Sequence, residues 1–500
     1  MITGKSYIGY KLSTNVDVTY RTFNSSEGRE NEWTIYEVTE KELDEAVLLA
    51  YSVKDEFAKT TYANRADFLR RIALNLENNR DELTRVYCLE ASLPLERANS
   101  ELDRTILQLN LFSDYIASGA YPEIVRHNGV NDLRKTYFPI GPVAVFGSSN
   151  FPFAYSTIGG DSASALASGC PVIIKSHPMH AGTGELVAKQ VVEAAQFAGM
   201  PEGVFSNLNI RSHELGGALV KHELIKGVGF TGSLKGGRAL FDIAQHRATP
   251  IPFFAEMGSL NPVCIHPSAL RDKDVINSWV EKYAASISDG AGQFCTKPGL
   301  IFSIKGSSLD DFKRLLAKEL SRRGSHAMLH PNLFYGFMNG VGQTDKDEHV
   351  SRVSGELSAS ESSVDSLLFS CKGSYFMQNQ DLQHELFGPA SVIVECDDMD
   401  QLNSVVSTLS GQLTGTILFG DGVFGEIQPL FELIKDRVGR VIFNGVPTGV
   451  EVCEAMNHGG PYPATTDSRF TAVGTNSIRR WLRPVVFQNV PEELLPPELH

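Results

Sequence analysis

Long hydrophobic runs are missing from this 500-residue chain, and no stretch approaches the length that a bilayer-spanning helix needs. The N-terminal MITGKSYIGY lacks a charged segment followed by an apolar one, so no secretory signal is expected. Basic residues are the minority: 45 Lys and Arg against 59 Asp and Glu leave a formal charge of −14. A nucleic-acid binder would carry a basic face, so the balance argues against that class. Paired cysteines are lacking too. The seven, Cys88, Cys170, Cys264, Cys295, Cys371, Cys396 and Cys453, are odd in number, scattered, and form no CxxC pair. That pattern is neither a disulfide framework nor a zinc site, and it points to a reducing, cytoplasmic home without a bound metal. No fixed-period repeat or long low-complexity segment is present. Ser354–Ser370 is serine-rich and reads as a surface insertion.

What is there centres on Ser288–Gly299, SDGAGQFCTKPG. Small and turn-forming residues surround one thiol, Cys295. Glycines let backbone approach a ligand closely and leave room beside the sulfur. Two other stretches supply complementary chemistry. A strand ends in a carboxylate at IPFFAEMG, Glu256, and another runs into SSNFP, with Asn150. Nucleophile, base and amide donor are the parts of an acyl-enzyme mechanism.

The length calls for two or three lobes. Thr39-Glu40-Lys41-Glu42 is a capping-box pattern opening a helix with Leu43, Ala46, Val47 and Ala50 on one stripe. Helices over about 63–77, 80–91 and 95–116 follow, reading as packing helices without evident chemistry. From Tyr137 strands alternate with helices: Val143–Phe146, Val172–Lys175, Val204–Leu208, Lys226–Phe230 and Pro252–Ala255. This predicts a doubly wound parallel sheet. Ligands on such sheets bind beyond the strand carboxyl ends, where Asn150, Lys175, Arg211, Thr231–Ser233 and Glu256 lie. A second α/β lobe begins near Gly258, with strands at Leu300–Ile304, Ala390–Glu395, Thr414–Gly420 and Val441–Asn444. Asp132–Phe138 and Arg480–Val490 are β-prone pieces outside both lobes, suited to a projecting sheet whose edge a partner subunit covers.

The segments FGSSNFP, VIIKSHP, GFTGS, FFAEMGSLNP, GQFCTKPG and HELFGP occur in an order that resembles the NAD(P)-dependent aldehyde dehydrogenase superfamily over nearly the whole chain. The tail NGVPTGVEVCEAMNHGGPYPATTDSRFTAVGTNSIRRWLRP is similar to the branch of alpha-ketoglutaric semialdehyde dehydrogenases and NADP-dependent fatty aldehyde dehydrogenases. The resemblance implies an α/β fold of two doubly wound parallel-sheet lobes with a small β oligomerisation arm. Residues 1–124 and 141–257 would form the cofactor domain, 258–475 the catalytic domain, and 125–140 with 476–500 the arm of a homodimer or homotetramer. It implies Cys295 as nucleophile, Asn150 and the Cys295 N–H as oxyanion donors, and Glu256 as the base that activates water. It also implies Lys175 at the adenosine ribose, Gly232 and Ser233 at the pyrophosphate, Glu385 at the nicotinamide ribose and Phe387 against the ring.

Three departures from the family pattern bear on chemistry. NAD-preferring members carry a glutamate three positions after the lysine, where Pro178 stands here. Arg211 replaces a common glycine, and a guanidinium matches phosphate geometry. With His177 as a further donor, the cofactor expected is NADP, with NAD as the alternative. Ser148-Ser149 precede Asn150 where a tryptophan is frequent, and Ser259 replaces a second glycine; both are expected at the pocket wall. Phe151, Phe153, Phe294 and Tyr462 are candidates to line an apolar tunnel.

The substrate implied is alpha-ketoglutaric semialdehyde, the alternative a medium- or long-chain aliphatic aldehyde. An acidic substrate needs a cationic anchor, and no sequence feature places one. A catalytically silent structural protein would be free to lose Cys295, Glu256 or Asn150. A cysteine hydrolase needs a histidine beside the thiol, and none of the 13 histidines stands in a recognisable motif for one.

Overall fold

Residues 2–119, 121, 123–355 and 362–500 are described by the computed structural model. The apolar strand runs alternate their side chains between two helix layers. Val143, Val145, Val172 and Ile174 pack with Phe68, Ile72, Val187 and Val191 on one face. Ala144, Phe146, Ile173 and Leu208 pack with Leu43, Val47 and Leu219 on the other. Both faces are therefore buried, which is why these strands read as continuous apolar runs rather than alternating ones. The sheet order is Phe253–Glu256, Gly227–Thr231, Val143–Phe146, Val172–Ser176, Phe205–Asn209, Tyr7–Ile8, Lys11–Leu12. The first five strands are parallel. Chain order reverses direction at Val143–Phe146, so a crevice opens where that strand and Gly227–Thr231 end. Asn150 and Gly232 stand beside it.

A second seven-stranded sheet runs Val350–Ser354, Leu367–Lys372, Ala390–Cys396, Leu300–Ile304, Val263–Ile265, Gln412–Leu418, Val438–Phe443. All pairs but the first are parallel. Its core also divides by face: Cys264, Phe302 and Val394 on one side, Val263, Ile301 and Ile393 on the other. The segments carrying Cys295 and Glu385 enter the adjacent strands Leu300–Ile304 and Ala390–Cys396 from their N-terminal ends. The second lobe thus meets the first lobe's carboxyl ends with its own strand starts. A third sheet of Leu482–Gln488, Asp132–Pro139 and Val125–Asn128 is antiparallel. Among the described residues, no helix is long and apolar enough to cross a membrane.

Helix bounds follow the expected stripes. Glu40–Ala58 opens on the Thr39–Glu42 capping box. Residues 151–159 make turns, and the next helix begins only at Gly160. Two readings change. Pro331–Asp345 is a helix that periodicity did not show. It holds Gly336, Gly340 and Gly342, poor helix formers whose place is decided by packing. The expected Ser354–Ser370 insertion is corrected as well. Residues 356–361 lie outside the described residues, but Leu367–Ser370 belong to a buried strand paired with Ala390–Cys396. Its leucines and phenylalanine pack inward, which the serine count obscured.

Candidate active site

The thiol loop follows the helix Lys273–Ser288. Gly290, Ala291 and Gly292 are left-handed in succession, with φ of 59°, 56° and 63°. That reversal turns the chain back across the top of the second lobe. A Cβ at Gly292 would lie 2.5 Å from the Gly388 carbonyl oxygen, so glycine here lets the thiol loop press on the HELFGP segment. Asn261 fixes the far side of the loop, its Nδ2 donating to the carbonyls of Cys295 at 2.8 Å and Lys297 at 2.9 Å.

Glu256 ends its strand and is buried. The segment 464–466 closes over it: Glu256 bridges Thr465, and Met257 N–H donates to Ala464 O at 2.8 Å. This same excursion brings in His458, which is buried and anchored by its N–H to Thr471 Oγ1 at 2.9 Å. His458 Nε2 lies 2.9 Å from Glu256 Oε1 and 3.6 Å from Cys295 Sγ. One ligand atom from each of Glu256, Cys295 and His458 falls within 4.8 Å of the other two. The histidine that sequence spacing left unassigned therefore stands beside the thiol. It sits in the NHGGPYPAT stretch, so a signal existed, but nothing local tied it to Cys295.

Electrostatics divides the trio. Burial, then the adjacent Glu256 charge, push the Cys295 thiol well above the ordinary range, while Arg104 pulls it back. Burial also pushes Glu256 upward, but His458 above all, with neighbouring Cys295 and Arg480, outweighs it and holds the carboxyl below its usual value. The resting arrangement is a protonated thiol against an ionised carboxylate. Glu256 Oε2 is buried with no hydrogen-bond partner among the described residues. Asn150 is buried as well, and its Nδ2 donates to Gln293 O at 2.9 Å, two residues before the thiol.

The cofactor candidates lie along the same crevice. Gly232 N–H donates to Glu256 O at 3.0 Å, tying that turn to the carboxylate strand. Ser233 caps the helix Leu234–Gln245 by accepting from Gly236 N–H at 3.2 Å, and among the described residues its hydroxyl proton has no acceptor. Lys175 is half-buried and has no ion-pair partner among the described residues; burial lowers its ammonium to about 8. His177 Nδ1 accepts from Met179 N–H at 3.3 Å, which leaves the ring proton on Nε2. Burial and neighbouring His180 and Lys175 drive it well below the usual histidine range, so it is a neutral donor. Arg211 is exposed, with its guanidinium 5.7 Å from the Tyr20 ring centre. A Cβ at Gly258 would lie 2.5 Å from Glu385 Oε2, so the glycine after Met257 admits that carboxylate. Burial pushes Glu385 up and Lys297 down, each partly offsetting the other. Phe387 is two residues on, half-buried in the same segment.

Some expectations fail at this site. Phe151 and Phe294 do meet edge-on, with ring centres 5.8 Å apart. Phe153 instead stacks on Tyr87 in the core, and Tyr462 is exposed with its hydroxyl 3.4 Å from Arg238. Tyr155 takes their place, 5.1 Å from Phe151 and 6.0 Å from the His458 ring. Ser259 is not a pocket-wall hydroxyl. It is buried and bonds Asn261 Oδ1 and Gln412 Oε1, both at 3.0 Å, bracing the residue that holds the thiol loop. The helix Leu95–Ala117 does more than pack: Glu101 Oε1 accepts from the Phe153 and Ala154 N–H groups at 2.8 and 3.0 Å and so shapes the turn after Asn150.

Comparison with known proteins bears on this arrangement. Residues 14–353 match the model of the aldehyde dehydrogenase family. The chain is 41% identical to the alpha-ketoglutaric semialdehyde dehydrogenase of Acinetobacter baylyi, covering 99% of this chain and 95% of that one. It is 39% identical to alpha-ketoglutaric semialdehyde dehydrogenase 2 of Azospirillum brasilense, over 99% and 96%. In fold it resembles the aldehyde dehydrogenase KauB from Pseudomonas aeruginosa, with TM-score 0.84, 19% identity and coverage of 98% and 97%. It also resembles an indole-3-acetaldehyde dehydrogenase solved with NAD+, with TM-score 0.85, 19% identity and the same coverage.

Proposed function

The chain belongs to the aldehyde dehydrogenase family, and from that premise we propose that it oxidises alpha-ketoglutaric semialdehyde to alpha-ketoglutarate, with NADP preferred over NAD. The observation that carries the mechanism is the convergence of Cys295, His458 and Glu256 within 4.8 Å.

Attack on the aldehyde carbon requires the thiol to lose its proton as the S–C bond forms. His458, whose Nε2 lies 3.6 Å from Sγ, is the acceptor beside it in the tautomer that leaves that nitrogen unprotonated, and Glu256 at 2.9 Å balances the imidazolium that forms. The oxyanion of the thiohemiacetal falls to Asn150 and the Cys295 N–H. A nicotinamide held by Glu385 and Phe387 would supply the acceptor for the hydride that leaves the thiohemiacetal carbon, so that a thioester on Cys295 remains. Glu256 then takes a proton from water as it attacks the thioester; the C–S bond breaks and the free acid leaves. A carboxylate oxygen buried without a donor, such as Glu256 Oε2, suits that water. The alternative substrate, a longer aliphatic aldehyde, shares every one of these steps. Oxidation rates for the acidic semialdehyde, hexanal and decanal, read as reduced-cofactor absorbance, separate the two. The acidic substrate is expected to have the highest kcat/KM; a higher value for decanal overturns the assignment.

The crevice fits a dinucleotide. Lys175, the Nε2–H of His177 and the Ser233 hydroxyl are donors without an acceptor among the described residues, and Glu385 is an acceptor admitted by Gly258. Pro178 presents no carboxylate to repel a 2′-phosphate. The nearby Glu37 carboxylate already accepts from Arg211 N–H, Ser212 N–H and Ser212 Oγ. The Arg211 guanidinium forms no ion pair with a described residue, so it is free for phosphate. Arg211→Ala is expected to lower the NADP-to-NAD ratio of kcat/KM by roughly tenfold or more, the size of one lost charge-assisted hydrogen bond. An unchanged ratio contradicts the role. The three-stranded sheet, with its strand Val125–Asn128 exposed throughout, supports an arm that pairs subunits in a homodimer or homotetramer.

A further inference from the structure

Two guanidiniums beside the site have no carboxylate among the described residues to balance them. We propose that Arg104 and Arg440 form a clamp for the distal carboxylate of an acidic aldehyde while its carbonyl lies against Cys295. The proposal rests on the acidic-substrate reading above and assigns the cationic anchor that the sequence did not reveal.

The two side chains come from different lobes, on the helix Leu95–Ala117 and the strand Val438–Phe443. They grip the same short segment. Arg104 Nη1 donates to Val450 O and its Nη2 to the Tyr155 hydroxyl at 3.1 Å. Arg440 Nη1 donates to Gly449 O at 2.9 Å and its Nη2 to Pro447 O at 2.6 Å. Consecutive carbonyls, Gly449 and Val450, therefore hold both heads close to one another. The Nε of each is buried without a partner among the described residues. Neither arginine forms an ion pair with a described Asp or Glu, although burying a charge without one is costly.

Their location points inward to the reaction. Arg104 sits 5.6 Å from the Tyr155 ring centre, and that ring lies 6.0 Å from His458, which touches the thiol. The groups that offset the burial of Arg440 are Cys295 and Tyr155, with no carboxylate among them. Arg97 makes a useful contrast. It lies 4.5 and 4.6 Å from the Phe151 and Phe294 ring centres, but the buried Glu101 neutralises it at 3.4 Å. Arg104 and Arg440, by contrast, have no anion beside them among the described residues. A guanidinium has five N–H donors, so each keeps donors in hand after its two bonds, in a fork that matches carboxylate.

The test compares kcat/KM for alpha-ketoglutaric semialdehyde and hexanal in the parent enzyme, in Arg104→Gln and in Arg440→Gln. The acidic-to-neutral ratio is expected to fall roughly 10- to 100-fold in each variant, mainly through KM of the acidic substrate. Glutarate is expected to compete with hexanal in the parent enzyme and to weaken by a similar factor in the variants. A parent preference for the acidic substrate that survives both substitutions overturns the clamp and leaves the substrate reading standing. Equal losses on both substrates also overturn it, because they mark the arginines as mere staples of residues 447–450. A parent enzyme with no acidic preference overturns both. Should a glutamine variant fail to fold, Arg104→Lys and Arg440→Lys keep the charge without the fork; a partial fall in the same ratio supports the clamp, and none overturns it.

Discussion

Glu256→Gln enzyme is expected to release a normal burst of reduced cofactor and then turn over roughly 10²- to 10⁴-fold more slowly than the parent, the usual span of a lost general base. Glutamine preserves the shape and can still bond His458 at the position where Oε1 now lies 2.9 Å from Nε2. It cannot take a proton from water. The lowered pKa of Glu256 matters here, since it keeps the carboxylate ionised at neutral pH despite its burial. Stopped-flow absorbance separates the burst from the steady state. Loss of the burst itself would show that Glu256 acts chiefly on the thiol rather than on water. A variant that turns over as fast as the parent would remove Glu256 from the mechanism. Retention of a base at this position also favours hydrolysis over transfer of the acyl group to a second thiol, which needs no activated water.

The second large effect belongs to His458. His458→Asn is expected to reduce kcat/KM at neutral pH by roughly 10²- to 10⁴-fold, with the deficit shrinking as pH rises. The sign follows from the thiol. Burial and the Glu256 charge raise its pKa, so thiolate is scarce at neutral pH and grows as pH increases through that raised value. The parent enzyme removes the proton during attack, through the imidazole 3.6 Å away. The variant must wait for ionisation, and its activity profile moves to higher pH. Iodoacetamide alkylation of Cys295, followed against pH, reads the same shift without catalysis. Identical alkylation profiles in parent and variant would take His458 out of the proton path.

Much of this protein was legible locally. Strands buried on both faces announce themselves as apolar runs, which is why Val143–Phe146 and Leu300–Ile304 have the bounds expected of them. The capping box at Thr39 and the left-handed Gly169 that ends Gly160–Ser168 are equally local signals. Elements whose residues contradict their setting were harder to read. The glycine-rich helix Pro331–Asp345 and the serine-studded strand Leu367–Lys372 owe their form to neighbours rather than propensity.

From the order of residues alone came the two wound lobes, the thiol in its turn of small residues, and the carboxylate and amide at strand ends. Each of these depends on interactions within a few positions or on a periodicity that a single segment carries. Tertiary structure decided which histidine and which arginines join them. His458 is 163 residues from Cys295 and 202 from Glu256, and it arrives only because 464–466 zips onto the strand that ends in Glu256. Arg104 and Arg440 converge because two lobes grip one segment between them. A charge or an imidazole carries no local mark of its destination, since side-chain chemistry acts through space, and only the packed chain sets the few ångströms that decide it.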